Sequence, residues 1–162
     1  MTIAIGAHFP ALTIKTNGED GPENLALGDF LAGRRVVIFA VPGAFTPGCS
    51  NHHMPGFVKQ ASALKAAGVD AIACLAVNDA FVLNAWQKDQ SADEIIMLAD
   101  GNAELTRALG LDMDASAGGM GTRSKRFAMI IDDGVVSYLG IDTQRGVIED
   151  SSAEKVLKQL TR

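Results

Sequence analysis

This 162-residue chain contains only two cysteines, Cys49 and Cys74. Two cysteines cannot build the disulfide framework of a small secreted domain, so we expect reduced thiols in a cytoplasmic setting. A redox disulfide of the Cys-x-x-Cys type is excluded as well, because Thr46 stands where the first cysteine would be.

The sequence also lacks long apolar runs and an excess of basic residues. No apolar run approaches the ~18 residues that a membrane span needs, and the N-terminus lacks the features of a signal peptide. Acidic residues outnumber basic ones by 19 to 14, and the net charge of −5 gives no support to a nucleic-acid or anionic-membrane partner. We therefore expect a cytoplasmic protein without either partner.

The composition is that of an ordinary globular protein, with 48% hydrophobic and 20% charged residues. A chain of this length can bury a substantial core without a metal or disulfide staple. Residues 1–162 show no internal repeat, low-complexity tract or linker, so we predict a single domain.

Apolar runs over residues 36–40, 69–77 and 95–98 predict three buried strands. Helical patterns follow each of them, and Asn78-Asp79 can cap the second of these helices. A hairpin with Asp-Gly at its turn over 127–139 precedes a C-terminal helix that begins with a capping pattern near Ser151. This order predicts an α/β fold with a mixed central β-sheet flanked by helices. It fits a thioredoxin-like fold better than a doubly wound nucleotide-binding fold.

Four smaller features complete the prediction. Residues 11–15 alternate enough for an outer strand, and residues 17–22 are typical of a turn or loop. Pro55 predicts a kink in the helix that ends at Gly68. The glycine-rich residues 116–121 lack the ending of a phosphate-binding loop and predict a mobile connection.

Cys49 is predicted to lie where the first buried strand turns into a helix N-terminus. Unpaired backbone N–H groups and the helix dipole favour negative charge there, so the thiol should ionise more easily than a free one. Since the thiolate is the nucleophilic form of cysteine, we interpret Cys49 as a nucleophile. Thr46 could offer its hydroxyl to a substrate oxygen, or it could simply cap the helix.

The stretch Pro42–Ser50 resembles the active-site loop of the peroxiredoxins, which share the pattern Pro-x-x-x-Thr-x-x-Cys, and in particular the peroxiredoxin 5-like, or type II, branch. Further similarities lie at residues 55–57, 76–82 with Trp86, and 122–127. The resemblance implies a thioredoxin-like fold and a thiol peroxidase acting on hydrogen peroxide and alkyl hydroperoxides, with no cofactor. It also implies a homodimer formed through loops around the active site, including residues 42–45 and Phe81.

The resemblance also implies roles for particular residues. Cys49 would be the peroxidatic cysteine, Thr46 would hydrogen-bond the peroxide, and Pro42 would shield the site from water. Arg126 would be the active-site arginine; Arg123 is the competing candidate. A guanidinium aimed at the departing oxygen would lower the barrier to O–O cleavage.

The oxidised product would be a sulfenic acid on Cys49, which another thiol must reduce. Some peroxiredoxins carry a resolving cysteine near the start of the last helix, where this chain has Ser151 and Ser152. Cys74 lies within an apolar run and is interpreted as an inert core residue. We therefore expect one-cysteine chemistry with glutathione and glutaredoxin, or thioredoxin, as the reductant.

Three alternatives remain open at this point. Cys49, His52 and His53 have the spacing of a soft-metal site, although no fourth ligand is evident. If they bind no metal, we expect the two histidines to be polar helix residues near the pocket mouth. The same residues could form a Cys–His acyl-transfer site, which lacks an orienting acid. A redox sensor or chaperone-like binding protein could also use this scaffold.

Overall fold

The computed structural model describes residues 1–161, and within them nine strands form two sheets. In chain order the strands are β1 Thr13–Gly18, β2 Gly21–Ala26, β3 Arg35–Ala40, β4 Ala71–Ala76, β5 Ile95–Ala99, β6 Asp112–Asp114, β7 Thr122–Ser124, β8 Arg126–Asp132 and β9 Val135–Asp142. Seven of them form one sheet in the order β2-β1-β5-β4-β3-β8-β9, and β6 pairs with β7 in a separate hairpin.

The large sheet is mixed, and its directions bring distant segments to one edge. Strands β3, β4 and β5 run parallel, so their carboxyl ends meet at the same edge. β8 lies antiparallel to β3, and β9 lies antiparallel to β8 with Arg126 opposite Asp142. The start of β8 and the end of β9 therefore lie at that edge too.

Five α-helices in the described part of the chain cover the two faces of this sheet. They are α1 Leu27–Leu31, α2 Met54–Ala66, α3 Ala80–Asp89, α4 Glu104–Ala108 and α5 Ala153–Leu160. Helices α2, α3 and α5 pack on one face, and α1 and α4 pack on the other. A mixed sheet flanked by helices confirms the predicted fold class. None of the helices in residues 1–161 combines the length and apolar composition that a membrane span requires.

β3 contributes to both cores, and this explains why residues 36–40 are all apolar. Val37 and Phe39 point into the core beneath α2, whereas Val36, Ile38 and Ala40 point into the core on the opposite face. All five side chains are fully buried. The strand is therefore apolar on both faces, as the continuous hydrophobic run predicts.

Local turn and cap signals in the sequence are confirmed. Asp133 and Gly134 both have positive φ, which is the type I′ geometry expected of an Asp-Gly hairpin turn between β8 and β9. The Asp79 carboxylate accepts from the N–H of Val82 and so caps α3. Ser152 caps α5 by accepting from the N–H of Lys155.

Strand pairing reaches further into one predicted turn than the sequence suggests. Residues 17–22 form the tip of the β1–β2 hairpin, with Gly18 opposite Gly21, so the turn predicted there is confirmed, but its flanking residues belong to paired strands. Pro22 is tolerated because β2 is an edge strand, where a missing N–H removes no required ladder bond. Residues 116–121 connect β6 and β7 through a 3₁₀ turn over Ser116–Gly118, and the predicted mobility of this connection stays a prediction.

Candidate active site

Cys49 lies beyond the loop that follows β3, at the edge where the parallel strands end. It opens a π-helical turn, Cys49–His53, that continues into α2. The N–H of Met54 donates to the Cys49 carbonyl five residues back, so this turn is wider than an α-helical one. Pro55 follows in the first turn of α2, where its missing N–H is tolerated, and the kink predicted there stays a prediction. The Cys49 side chain is fully buried.

Internal hydrogen bonds hold the loop before Cys49 in shape. The Thr46 hydroxyl donates to the Gly43 carbonyl at 2.7 Å, and the N–H of Ala44 donates to the Asn78 side chain at 3.0 Å. Within residues 1–161, the one hydrogen bond of the Thr46 hydroxyl is to Gly43 and no N–H of the following turn donates to it, so the alternative that this side chain caps the helix is not supported. The oxygen of the Thr46 hydroxyl keeps lone pairs with which it can accept a further hydrogen bond.

Arg126 reaches the sulfur of Cys49 from the start of β8. Its Nη2 donates to the Cys49 Sγ at a distance of 3.3 Å. Gly48 makes room for this contact, because a Cβ at that position would lie 3.1 Å from the same Nη2 atom. The antiparallel pairing of β8 with β3 thus places a permanent positive charge beside the thiol, although the two residues are 77 positions apart.

Arg123 occupies a different place from Arg126. Its Nε donates to the Met120 carbonyl at 3.0 Å, and its Nη1 lies against Gly43 of the active-site loop. Among the hydrogen bonds of the described residues, only Arg126 donates a guanidinium N–H to Cys49. Of the two candidates, the structure therefore brings Arg126 to the sulfur and places Arg123 beside the loop.

His53 joins Arg126 to the segment before α5. Its Nδ1 lies 2.8 Å from Arg126 Nη1, and its Nε2 lies 2.8 Å from the Ser151 carbonyl oxygen. A guanidinium can only donate, so Nδ1 is the acceptor and Nε2 carries the proton that it donates to Ser151. Both ring nitrogens are thereby occupied, and neither is free to bind a metal or to accept a proton from Cys49.

The surroundings of His53 keep its ring neutral. The ring makes edge contacts with Phe39 and Phe57, which stack on each other with centroids 4.0 Å apart. Burial and the adjacent Arg126 charge lower the pKa of His53 to about 3, against opposing effects of the Ser151 bond and Asp142. The expectation that His53 is a polar residue near the pocket mouth is therefore wrong, whereas His52 is exposed.

The position of His53 could have been found from the sequence. His53 precedes Phe57 by four residues and Ala61 by eight, so it lies on the buried stripe of the amphipathic helix. The hydrogen-bond partners of His53 could not have been found in this way, because Arg126 and Ser151 are 73 and 98 residues away in the sequence.

Trp86 is a further neighbour of the site that the sequence analysis did not assign to it. This fully buried side chain on α3 donates from its indole Nε1 to the Ser50 hydroxyl at 2.9 Å. Ser50 directly follows Cys49, so the bond ties the first turn of the active-site helix to α3. Trp86 is also the only tryptophan of the chain, which makes it a spectroscopic probe of that turn.

Cys74 lies in the middle of β4, between β3 and β5, and is fully buried. Burial raises the pKa of its thiol well above the ordinary value, and the proximity of Cys49 acts in the same direction. A protonated thiol within a paired central strand has neither the charge nor the access that a resolving cysteine requires.

Together these groups offer a nucleophile and a fixed cation in one buried site. A preorganised guanidinium beside the sulfur can stabilise negative charge that develops on an oxygen bound there. The acyl-transfer alternative needs a histidine that accepts the thiol proton, and His53 instead accepts from Arg126. The arrangement is thus suited to attack by sulfur on a polar, electron-accepting bond.

Comparison with known proteins points the same way. A model of the Redoxin family matches residues 4–157. Peroxiredoxin-2E-2, chloroplastic, of Oryza sativa subsp. japonica is 48% identical, over 98% of this chain and 73% of its own length. Reduced Prx3 of Vibrio vulnificus, solved in complex with hydrogen peroxide, is 49% identical with a TM-score of 0.94, over 98% of this chain and 99% of that one. Peroxiredoxin 5 of Alvinella pompejana is 33% identical with a TM-score of 0.86, over 98% of both chains.

Proposed function

Since this chain belongs to the peroxiredoxin family of thiol peroxidases, with a thioredoxin-like fold, we propose that it reduces hydrogen peroxide and alkyl hydroperoxides through Cys49. The observation that carries the proposal is the 3.3 Å contact between Arg126 and the buried Cys49 sulfur. That contact places the nucleophilic sulfur beside a positive charge, which can stabilise the alkoxide or hydroxide that leaves the peroxide. The similarity to type II and peroxiredoxin 5 proteins supports the same conclusion.

The first step is a two-electron oxidation of sulfur. The Cys49 thiolate attacks the terminal oxygen of R–O–O–H, an S–O bond forms, and the O–O bond breaks. The departing RO⁻ carries the electron pair of that bond and takes up a proton to become an alcohol, or water when R is hydrogen. Negative charge moves from sulfur to oxygen during this step, and the Arg126 guanidinium lies where it can stabilise both.

Thr46 and Pro42, which precede Cys49 in the same loop, have supporting roles in this proposal. The Thr46 hydroxyl already donates its proton to Gly43, so its oxygen is an acceptor and can align the O–H of a bound peroxide. The role proposed for Pro42, which is half-buried, is to shield the sulfur from water. Alignment of the reacting atoms contributes to the rate independently of charge stabilisation.

The sulfenic acid is reduced by an external thiol. A thiol R′SH attacks the Cys49 sulfur and releases water, which leaves a mixed disulfide; a second thiol then releases the Cys49 thiol and forms R′–S–S–R′. Cys49 must become accessible for this, and the π-helical turn is where the helix can open. A cavity of about 380 Å³ beside that turn, between His52 and Gly146, offers room for the incoming thiol.

The reductant in this proposal is glutathione with glutaredoxin, or thioredoxin, and not Cys74. A homodimer is proposed from two large exposed apolar side chains, Phe45 and Phe81, which are 52% and 73% exposed. They follow β3 and β4 at the same edge of the sheet, around the active-site loop. The cytoplasmic location stays a prediction; the rice relative carries the designation chloroplastic.

The test is turnover with defined reductants. Purified protein should consume hydrogen peroxide and tert-butyl hydroperoxide catalytically when glutathione, glutaredoxin and glutathione reductase are supplied, or when thioredoxin and its reductase are supplied. The Cys49→Ser variant is the matched control and should be inactive. One oxidation without turnover in either system would instead indicate the redox-sensor alternative.

A further inference from the structure

We propose that Asp142 and Ser151 are positioning residues that keep the Arg126 guanidinium on Cys49, acting through His53. This inference rests on the proposed peroxidase function and assigns a role to the connection between β9 and α5. It concerns the orientation of one side chain and adds no new chemical step. Four observations carry it.

The first observation is that Asp142 is the cross-strand neighbour of Arg126. The two residues are paired in the register of β8 and β9, so their side chains lie on the same face of the sheet. Opposite charges in directly paired positions attract each other. A free Asp142 carboxylate would therefore compete with the Cys49 sulfur for the guanidinium.

The second observation is that the Asp142 carboxylate is fully engaged elsewhere. It accepts from the N–H groups of Glu149, Asp150 and Ser151 at 2.9, 3.1 and 2.9 Å, and from the Ser151 hydroxyl at 2.6 Å. Partial burial alone would raise the pKa of Asp142, but these four bonds lower it below the ordinary value. Among residues 1–161, the recorded ion pairs do not join Asp142 to Arg126.

The third observation is that the same segment sets the position of His53. Ser151 is fully buried, and its carbonyl accepts from His53 Nε2. Its N–H and hydroxyl are held by Asp142, so the direction of that carbonyl is fixed from the other side. Gly140 allows the segment to lie this close to β9, because a Cβ there would collide with the Asp150 carbonyl.

The fourth link is the bond from Arg126 Nη1 to His53 Nδ1, which leaves Nη2 directed at the sulfur. A guanidinium is a rigid planar fork, so fixing one nitrogen orients the other. Holding Ser151 therefore orients His53, and His53 orients Arg126. Misplacement of a catalytic group by ~1 Å can reduce a rate about a hundredfold, which is why a distant anchor can matter.

The experiment measures the second-order rate constant of Cys49 oxidation by hydrogen peroxide, followed by stopped-flow Trp86 fluorescence. Asp142→Ala should lower it about tenfold and Ser151→Ala, which keeps both backbone bonds, about threefold. Asp142→Asn should recover most of the loss, because an amide oxygen can still accept from the Ser151 groups. Asp150→Ala removes a neighbouring charge of the same segment without touching these bonds and should leave the rate unchanged.

A double-mutant cycle separates positioning from general destabilisation. If Asp142 acts through His53, Asp142→Ala should lower the rate by less than about twofold in a His53→Gln background. A tenfold effect of Asp142→Ala in both the wild-type and the His53→Gln background would overturn the inference. The same holds if Asp142→Ala and Ser151→Ala react as fast as Asp150→Ala. A wild-type protein that does not react with peroxide would refute the proposed function itself, before any variant is compared.

Discussion

Replacing Arg126 tests whether its guanidinium takes part in the reaction of Cys49. We compare Arg126→Gln, which keeps polarity but removes the charge, with Arg126→Lys, which keeps a point charge without the planar fork. Arg123→Gln tests the other arginine of the same region. Arg107→Gln is the matched control, because Arg107 lies on the surface of α4 and, within residues 1–161, its guanidinium donates only to the Asn102 carbonyl.

The expected magnitude follows from the contacts of Arg126. A hydrogen bond to a charged group contributes about 1.5–3 kcal/mol, and the loss of an oxyanion-type donor costs about 2.7–4 kcal/mol. A loss of about 3 kcal/mol corresponds to a rate lower by a factor of about 150. Lysine cannot donate to both His53 Nδ1 and Cys49 Sγ in the observed geometry. We therefore expect Arg126→Lys to lie between wild type and Arg126→Gln.

The assay is single-turnover oxidation of reduced protein by hydrogen peroxide under pseudo-first-order conditions. Arg126→Gln should be slower by about a hundredfold or more, whereas Arg123→Gln and Arg107→Gln should stay within about threefold of wild type. A loss in Arg123→Gln equal to that in Arg126→Gln, with both proteins folded, would show that a single guanidinium contact does not account for the rate.

Three further predictions follow. Gly48→Ala places a methyl group 3.1 Å from Arg126 Nη2, so the guanidinium must shift away, and we expect peroxide oxidation to slow about tenfold while the melting temperature changes little; an unaltered rate would contradict the close approach. Cys74→Ser puts a hydroxyl into a buried strand and should lower the free energy of unfolding by ~1–3 kcal/mol. Peroxide turnover with an external thiol should persist in this variant, and a complete loss of turnover would indicate that Cys74 is the resolving cysteine. His53 has a pKa of about 3 in the folded state and ~6.5 unfolded, so the unfolded chain takes up its proton first as pH falls, and stability present above pH ~6.5 is lost progressively below it. Between pH 7 and 5 this effect amounts to about 2 kcal/mol in urea titrations, and it should be absent in His53→Gln.

The position of Cys49 could be predicted from the sequence because its causes are local. An apolar run that fills both faces of a sheet and an amphipathic segment follow each other within about 30 residues, and the cysteine lies between them. The Asp-Gly turn and the caps at Asp79 and Ser152 are local signals of the same kind. Arg126 was identified through the family resemblance, since nothing in its neighbourhood distinguishes it from Arg123.

The rest of the site depends on contacts between distant segments. His53, Arg126 and Ser151 meet because β8 and β9 return to the edge where β3 ends, and no short-range pattern encodes that return. The strand pairing around the turn at residues 17–22 was not predicted for a similar reason, because glycine and proline indicate a turn but do not reveal that the flanking residues pair. The π-helical turn was not predicted, because the sequence pattern indicated only a kink at Pro55.

The central claim is that Cys49 alone carries the oxidation, and a trapping experiment tests it most directly. Reduced protein receives one equivalent of alkyl hydroperoxide in the presence of a sulfenic-acid trap, and intact mass and peptide mapping locate the product. The account predicts one trap molecule on Cys49 and a free thiol at Cys74. A disulfide between Cys49 and Cys74 would contradict the one-cysteine mechanism, and an unmodified Cys49 would contradict the peroxidase function.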